Sequence, residues 1–225
     1  MTQTVHRSDT DFRTAIAEES TAARGRGWGA TRLEADLTLL GDRLVPNADF
    51  GVTRAITVRT GADHVWPWIA QLGQQGGGFY SYDALENVMG CRIHSADRIH
   101  PEWQDPAVGD QVRLYPEGGL AIAELEQGRA MVLHGGLILG RRPPPFDFSW
   151  TFALLDGPAG TCRMLVRERY SYKRRWAALL VRPTALISMV MTRRMLLGIK
   201  IRAEGPPAGA QVLPPAGTVA RTVKT

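Results

Sequence analysis

The sequence predicts an α+β fold in which a meander of antiparallel strands is covered by a long C-terminal helix. Five segments between residues 110 and 172 have the composition of strands, and short turns such as Gln127-Gly128 and Asp156-Gly157 separate them. A strand and two short helical segments precede this region, and a long helical stretch follows it. Connections this short favour antiparallel pairing, because parallel strands need a longer crossover.

The composition indicates one folded domain with tails. The 225 residues are 44% apolar and 22% charged, which is close to the average for globular proteins and excludes wholesale disorder. Cys91 and Cys162 form no paired motif, and no signal-peptide pattern follows Met1. We therefore expect a reduced, cytoplasmic protein without a structural zinc site.

The chain divides into three predicted regions. Residues 1–48 form a polar N-terminal extension, partly mobile, with an irregular lead-in over 25–46. Residues 49–204 form the folded domain. Residues 205–225 carry four prolines among small residues without a periodic apolar face, which predicts a disordered tail.

The net charge of +5 raises the question of a nucleic-acid partner. The arginines are scattered along strands and termini, without aromatic interleaving or a recognisable binding motif. We therefore expect no nucleic-acid partner. The pairs Arg174-Arg175 and Arg193-Arg194 flank an apolar stretch, and they leave weak peripheral contact with an anionic membrane as an open alternative.

The domain opens with a strand and a helix. Thr53 to Arg59 alternates as a strand, and Thr60 to Asp63 has the T-x-x-D pattern of a helix cap. The helix carries apolar residues at helical spacing up to Leu72 and should end at Gly73, and Pro67 should confine or kink it. A second short helix is predicted from Asp83 to Met89.

The meander and its inner face follow from the alternation of residue types. The predicted strands are Asp110 to Tyr115, Leu120 to Glu126, Arg129 to His134, Phe146 to Leu155 and Cys162 to Tyr172. In the fourth of these, one face consists of Phe146, Phe148, Trp150, Phe152 and Leu154. In the fifth, the apolar inner face includes Glu168, and the opposite face carries Arg163, Arg167 and Arg169.

The last predicted element is a helix from Trp176 to Arg202, broken or kinked by Pro183, that lies on the sheet. Arg182 and Arg193-Arg194 divide it into pieces shorter than the roughly 20 apolar residues that span a bilayer. The residues predicted to face the sheet are Leu179, Leu186, Ile187, Val190, Met191, Leu197 and Ile201.

The order of these elements is that of the helix-grip fold, and the sequence from about Val52 to Glu204 resembles the START-related SRPBCC superfamily, which includes polyketide cyclase-like proteins. It looks like an uncharacterised, actinobacterial-type branch. The segments that carry the resemblance are Thr53-Arg54-Ala55-Ile56-Thr57-Val58, Val65-Trp66-Pro67-Trp68, Gly78-Phe79-Tyr80-Ser81-Tyr82-Asp83, Leu85-Glu86-Asn87, Ile93-His94-Ser95-Ala96-Asp97-Arg98-Ile99, Phe146-Asp147-Phe148 and Arg167-Glu168-Arg169-Tyr170.

This resemblance implies a central cavity between a curved sheet and the closing helix. Members of the superfamily include lipid carriers, ligand sensors and polyketide cyclases or dehydratases, so the resemblance implies fold more specifically than function. Large aromatic side chains and flexible methionine side chains suit a flat or hydrophobic ligand. The predicted ligand-binding residues are Trp66, Phe79, Tyr80, Phe148, Trp150, Tyr170 and Met191.

Three residues are candidates for acid/base chemistry: Glu168, His94 and Tyr82. A carboxylate that faces an apolar interior either pairs with a cation or has a raised pKa, and the latter suits proton transfer. The alternative for Glu168 is an internal ion pair with an arginine such as Arg98 or Arg113.

We expect neither a metal nor another cofactor. His94, His100 and Asp97 superficially resemble metal ligands, but their spacing matches no established motif. The predicted function is binding of a small hydrophobic metabolite, by a carrier or sequestering protein. The alternative is a cyclase- or dehydratase-like enzyme that uses the same cavity. The oligomeric state stays open.

Overall fold

The computed structural model describes residues 28–73, 76–80, 95–115, 118–136, 144–174 and 176–205, with the backbone alone at 115, 180 and 182–187. The predicted helix from Asp83 to Met89 lies outside these residues, as do the candidate catalytic residues Tyr82 and His94. The boundaries of the three predicted regions stay predictions.

Six strands form one antiparallel sheet in the order β1-β6-β5-β4-β3-β2. The chain therefore runs as a meander from β2 to β6, and the first strand pairs with the last. This arrangement confirms the predicted α+β class and the predicted meander. The strands are Phe50–Val58, Gln111–Tyr115, Gly118–Glu126, Ala130–Gly135, Phe146–Asp156 and Cys162–Tyr172 for β1 to β6.

The strand ends agree closely with the sequence pattern. β6 has the predicted bounds, while β1 begins earlier, at Phe50, and β3 begins at Gly118. The register shifts between Arg113 and Tyr115 in β2 and between Ile122 and Glu124 in β3. Irregularities of this kind bend a strand and increase its twist, which gives the sheet its curvature.

Two helices pack on the inner face of the sheet: α2 (Ala62–Ala70) and α3 (Ala177–Glu204). Gly198 lies where α3 meets the backbone of Tyr80, and a Cβ atom at this glycine would collide with the Tyr80 carbonyl oxygen. The absence of a side chain therefore allows the helix to approach this closely. Among the described residues, no helix is long and apolar enough to cross a membrane.

The predicted cap of α2 was wrong. The N-cap is Gly61 rather than Thr60, and no side chain caps the helix. Pro67 lies inside α2 without ending it, although proline lacks the N–H that would bond back along the helix. α2 ends at Ala70, two residues before the last predicted apolar position, Leu72.

The predicted sheet-facing side of α3 was wrong for three of its seven residues, whereas Leu197 does pack against the core and the side chains of Leu186 and Ile187 lie outside the described part of the chain. Leu179, Val190 and Ile201 are 76%, 48% and 64% exposed. The buried side of α3 combines large apolar residues such as Met195 and Leu196 with small and polar ones such as Ala203 and Thr192, because the inner face presents both bulky aromatics and a carboxylate. The buried residues of α3 are Ala177, Val181, Thr192, Met195, Leu196, Gly198, Ile199 and Ala203.

The segment over residues 28–49 covers the outer face of the sheet. It contains α1 (Arg32–Asp36) and a 3-10 turn over Asp42–Leu44. Thr31 and Glu34 form a capping box at the start of α1, in which each side chain accepts a hydrogen bond from the other residue's backbone N–H. Small residues of the strands pack beneath this segment, with Leu37, Leu39 and Leu40 against them.

Arginines of β6 hold this outer segment in place. Arg163 donates from Nε and Nη2 to the carboxylate of Glu34, at 2.6 Å and 3.0 Å. Arg167 donates to the Asp42 carboxylate at 2.6 Å and to three backbone carbonyls of residues 34–37. Arg163 and Arg167 thus lie on the outer face, as the alternation predicts, and both are buried there.

The Glu34–Arg163 pair makes stability depend on pH. Burial alone would raise the pKa of Glu34, but hydrogen bonds from the Arg163 guanidinium and the Thr31 backbone outweigh it and lower the pKa below its usual 4.5. A carboxylate with a lowered folded-state pKa adds stability that is fully present above its unfolded pKa. That stability is lost as the pH falls through the folded value.

We predict that Glu34→Gln lowers the free energy of unfolding by about 3–5 kcal/mol at pH 7, because Arg163 stays buried without a counter-charge. The deficit relative to the unsubstituted chain should shrink as the pH falls below 4.5. Urea unfolding followed by circular dichroism measures both quantities. The exposed pair Arg129–Asp156 provides the control, since Asp156→Asn should cost under about 1 kcal/mol. Equal losses for the two substitutions would contradict this role for Glu34.

Candidate functional site

A buried ion pair lies on the inner face of the sheet, between β1 and β6. Glu168 is 1% exposed and Arg54 is 2% exposed, and Arg54 Nη1 donates to Glu168 Oε1 at 2.6 Å. Both side chains point inward, because Arg54 is two residues before Ile56 on β1 and Glu168 is two residues before Tyr170 on β6. The two charges compensate each other where water is excluded.

Three hydroxyl groups complete the shell of the Glu168 carboxylate. Ser188 and Thr192 lie one turn apart on α3, and they donate to Oε1 at 2.6 Å and 3.2 Å. The Tyr170 hydroxyl donates to Oε2 at 3.2 Å. Burial raises the pKa of Tyr170, and the charge and hydrogen bond of Glu168 raise it further, so the phenol keeps its proton at neutral pH. The cluster therefore joins β1, β6 and α3.

The structure shows Glu168 in an internal ion pair, which was the alternative to a catalytic carboxylate. Its partner is Arg54, whereas the predicted partners Arg98 and Arg113 are exposed. The predicted partners were therefore wrong. Arg54 was overlooked because only the apolar residues of β1 were used to predict which side chains of this strand face inward. A catalytic role for Glu168 stays a prediction.

Three buried N–H groups have no acceptor among the residues that the structure describes. They are Arg54 Nε, Trp66 Nε1 and Trp150 Nε1. Trp150 lies opposite Glu168 in the register of β5 and β6, so it stands on the other side of the carboxylate from Arg54. An unpaired buried donor costs about 1–3 kcal/mol, and such groups need an explanation. This part of the inner face can donate hydrogen bonds to an added acceptor.

Aromatic rings surround the ion pair. Phe79 stacks on Trp150 with 6.1 Å between ring centroids, and Phe148 lies 4.6 Å from Tyr170. Trp66 belongs to the same apolar cluster on the inner face. Ring contacts thus join four of the seven predicted ligand-binding residues next to Glu168, namely Phe79, Phe148, Trp150 and Tyr170, while their contact with a ligand stays a prediction.

Tyr80 and Met191 have other surroundings. Tyr80 is buried, and its hydroxyl accepts a hydrogen bond from Gln71 Nε2 at 2.8 Å. The Arg202 guanidinium lies 4.9 Å from the centre of the Tyr80 ring. Gln71 also binds the loop after residue 95, through the Arg98 carbonyl and the His100 N–H. Tyr80 thus shares the apolar cluster of the inner face, but its hydroxyl belongs to the polar network around Gln71.

Met191 is half-buried on α3, next to Thr192 in sequence. No contact with the aromatic cluster is described for it.

Sequence reasoning missed Arg54, Ser188 and Thr192. A signal was present for Arg54, because the period of two that places Ile56 and Val58 inward also places Arg54 inward. Ser188 and Thr192 are four residues apart, which is the helical spacing that puts both on one face. Within a largely apolar stretch, serine and threonine were not considered as hydrogen-bond partners of Glu168.

The described residues offer no thiol nucleophile and no evident metal ligand set. Burial raises the pKa of the Cys162 thiol to about 12, so it stays protonated and weakly nucleophilic. No group of three or more His, Cys, Asp or Glu side chains in the described ranges could hold a metal ion.

Two surface cavities are lined by residues that the structure describes, and neither has Arg54 or Glu168 in its wall. One of about 220 Å³ lies where α2 meets β2, with Gln71, Trp103 and Val112 in its wall. The other, of about 400 Å³, lies beside α1 and includes Asp36, Arg167 and Arg169. The predicted central cavity between the sheet and α3 stays a prediction.

The fold and this site define a helix-grip-like α+β protein, in which a curved antiparallel sheet and a C-terminal helix enclose a buried carboxylate–guanidinium pair. No protein-family model matches the sequence, and no curated protein matches it either.

Solved structures with a similar fold include three that illustrate its range. Protein MLL2253 from Mesorhizobium loti is 12% identical, with 68% of this chain and 96% of that chain covered and a TM-score of 0.42. The Polyketide_cyc-like protein Cgl2372 from Corynebacterium glutamicum is 11% identical, with 67% and 88% covered and a TM-score of 0.31. The Zhui aromatase/cyclase from Streptomyces sp. R1128 is 13% identical, with 69% and 93% covered and a TM-score of 0.31.

The second and third of these proteins carry names from the group that the sequence resembles. At such identities and TM-scores the similarity concerns the fold alone, so no activity is carried over. The actinobacterial-type branch stays a prediction.

We predict strong energetic coupling between Arg54 and Glu168. Glu168→Met should lower the free energy of unfolding by about 3–5 kcal/mol, because it leaves the Arg54 charge buried alone. Adding Arg54→Met should recover most of the lost free energy of unfolding, since two apolar side chains can replace a buried ion pair at little cost in stability. Urea unfolding of both single variants and the double variant gives the coupling energy. Additive losses would contradict the coupling.

Proposed function

We propose that the chain binds a small, mainly apolar molecule that carries oxygen acceptors, between the inner face of the sheet and α3. The observation that carries this proposal is the set of unpaired donors, Arg54 Nε, Trp66 Nε1 and Trp150 Nε1, within an aromatic surrounding. A hydrocarbon would leave these donors unpaired. A carbonyl, hydroxyl or ether oxygen would accept from them.

Charge favours a neutral ligand over an anion. Arg54 is already neutralised by Glu168 at 2.6 Å, and the described hydrogen bonds show no second cation beside this pair. An added carboxylate would therefore lose its hydration without a counter-charge, which is costly in a buried site. The aromatic rings of Phe79, Phe148 and Trp150 favour a flat apolar body.

The role that follows is that of a carrier or sequestering protein for such a metabolite. The alternative is an enzyme of the cyclase or dehydratase type, without a metal or nucleotide cofactor. One observation favours it: the Tyr170 phenol and the Glu168 carboxylate are in hydrogen-bond contact within the same cluster, as an acid and a base would be. In that alternative Glu168 transfers the proton, and His94 and Tyr82 are further candidates.

Native mass spectrometry of the purified full-length chain, beside a denatured sample, tests ligand binding directly. We expect a mass excess that disappears on denaturation and belongs to an oxygenated, mainly apolar compound. If the chain carries nothing and also binds no member of a panel of lipids, aromatic compounds and polyketide-like compounds, the proposal is wrong.

The Trp150 donor gives a sharper prediction. Trp150→Phe keeps an aromatic ring but removes the Nε1–H, so it should weaken binding of 2-acetylnaphthalene by about two- to tenfold. Binding of 2-ethylnaphthalene, which has no oxygen, should change much less. Isothermal titration calorimetry measures both, and Trp103→Phe, away from the ion pair, is the matched control. If Trp150→Phe weakened the binding of both probes equally, Trp150 would not act as a hydrogen-bond donor to the ligand.

A further inference from the structure

The outward side of α3 carries an unusual amount of exposed apolar surface. Five of the six large hydrophobic residues that are exposed in the described ranges belong to α3 or its N-cap: Trp176, Leu179, Met189, Val190 and Ile201. Leu179, Val190 and Ile201 are spaced by eleven residues, which is close to three helical turns, so they lie on one line along the helix. The sixth exposed residue, Val108, lies in the loop before β2.

None of these five side chains belongs to the core of the described fold. The opposite side of α3 supplies the core residues Met195, Leu196 and Ile199 and the hydroxyls that bind Glu168. Exposed apolar side chains along one helix face, rather than scattered singly, mark an interaction surface.

The charged residues of α3 and of the segment before it are all basic up to Glu204, the last residue of the helix. The sequence contains no Asp or Glu from residue 169 to residue 203, while nine Arg and Lys residues lie in that span. Lys173 and Arg174 are exposed just before Trp176, and Arg193 and Arg194 are exposed next to Val190 along the helix. Lys200 is paired with Glu204, and the exposed Arg193 guanidinium also lies 5.4 Å from the centre of the Trp28 ring.

We propose that the outward face of α3 docks onto an anionic lipid surface, with the helix lying in the plane of the membrane. Its 28 residues would extend about 42 Å along that plane. Leu179, Val190 and Ile201 enter the apolar boundary layer, and Trp176 lies at the headgroup level where tryptophan is favoured. The exposed arginines and Lys173 contact the lipid phosphates.

Charge distinguishes this occupant from a second copy of the chain. A symmetric pair joined through α3 would bring two sets of arginines and lysines together, and the one acidic residue of α3, Glu204, is already paired with Lys200 and Arg59. A lipid surface offers both an apolar layer for Leu179, Val190 and Ile201 and negative charge for the cations. This inference is independent of the proposed ligand.

Co-sedimentation of the full-length chain with vesicles tests the proposal. We expect binding to equal mixtures of phosphatidylcholine and phosphatidylglycerol at low salt, weaker binding at high salt, and little binding to phosphatidylcholine alone. Absence of binding to the mixed vesicles at low salt overturns the proposal.

Variants identify the surface that binds. The triple variant Leu179→Gln, Val190→Gln and Ile201→Gln should reduce binding by about tenfold or more, because it removes the apolar insertion. All three residues are exposed, so the variant should keep its fold, which circular dichroism checks. Val108→Gln is the matched control and should bind as before.

Two other outcomes would also overturn the proposal. One is equal vesicle binding by the triple variant and the unsubstituted chain, which would mean that another part of the protein surface binds the vesicles. The other is a dimer in sedimentation velocity that the triple variant loses, together with no vesicle binding, which would make a second copy the occupant.

Discussion

β6 carries charged side chains on both of its faces, and this constraint shapes the rest of the structure. Arg163 and Arg167 point outward and Glu168 points inward, yet all three are buried. A strand of this kind is stable only if each face is covered by partners of opposite or complementary polarity. The segment over residues 28–49 supplies them on one side, and Arg54 with α3 supplies them on the other.

The same constraint explains why the site is polar at its centre and apolar around it. Glu168 requires donors from both the sheet and the helix, which places Ser188 and Thr192 on the side of α3 that would otherwise be apolar. This requirement also sets the rotation of α3 about its axis. Leu179, Val190 and Ile201 consequently point away from the sheet, while Met195, Leu196 and Ile199 pack in the core.

Much of the fold follows from the period of two in the strands, which gave the bounds of β6 and the inward direction of Glu168. The outer layer could not be predicted in this way, because residues 28–49 are held by hydrogen bonds from arginines more than 100 residues away. Leu179, Val190 and Ile201 were wrongly placed on the sheet-facing side of α3 because only large apolar residues were used to locate that side, whereas Thr192 and Gly198 also belong to it. The partners of Glu168 were missed because the residue types Arg, Ser and Thr do not by themselves indicate a buried hydrogen-bond partner for a carboxylate.

The packing of residue 28 beside β1 has a consequence for association between chains. β1 is an edge strand, but the Ala55 N–H donates to the Trp28 carbonyl, and Lys200 from α3 donates to the Thr57 carbonyl at 2.6 Å. These backbone groups are therefore occupied by the chain itself and cannot template a strand from another molecule. A shortened chain beginning at residue 49 would lose the Trp28 contact as well as the cover over Arg163 and Arg167. Such a chain should be prone to aggregation through that edge.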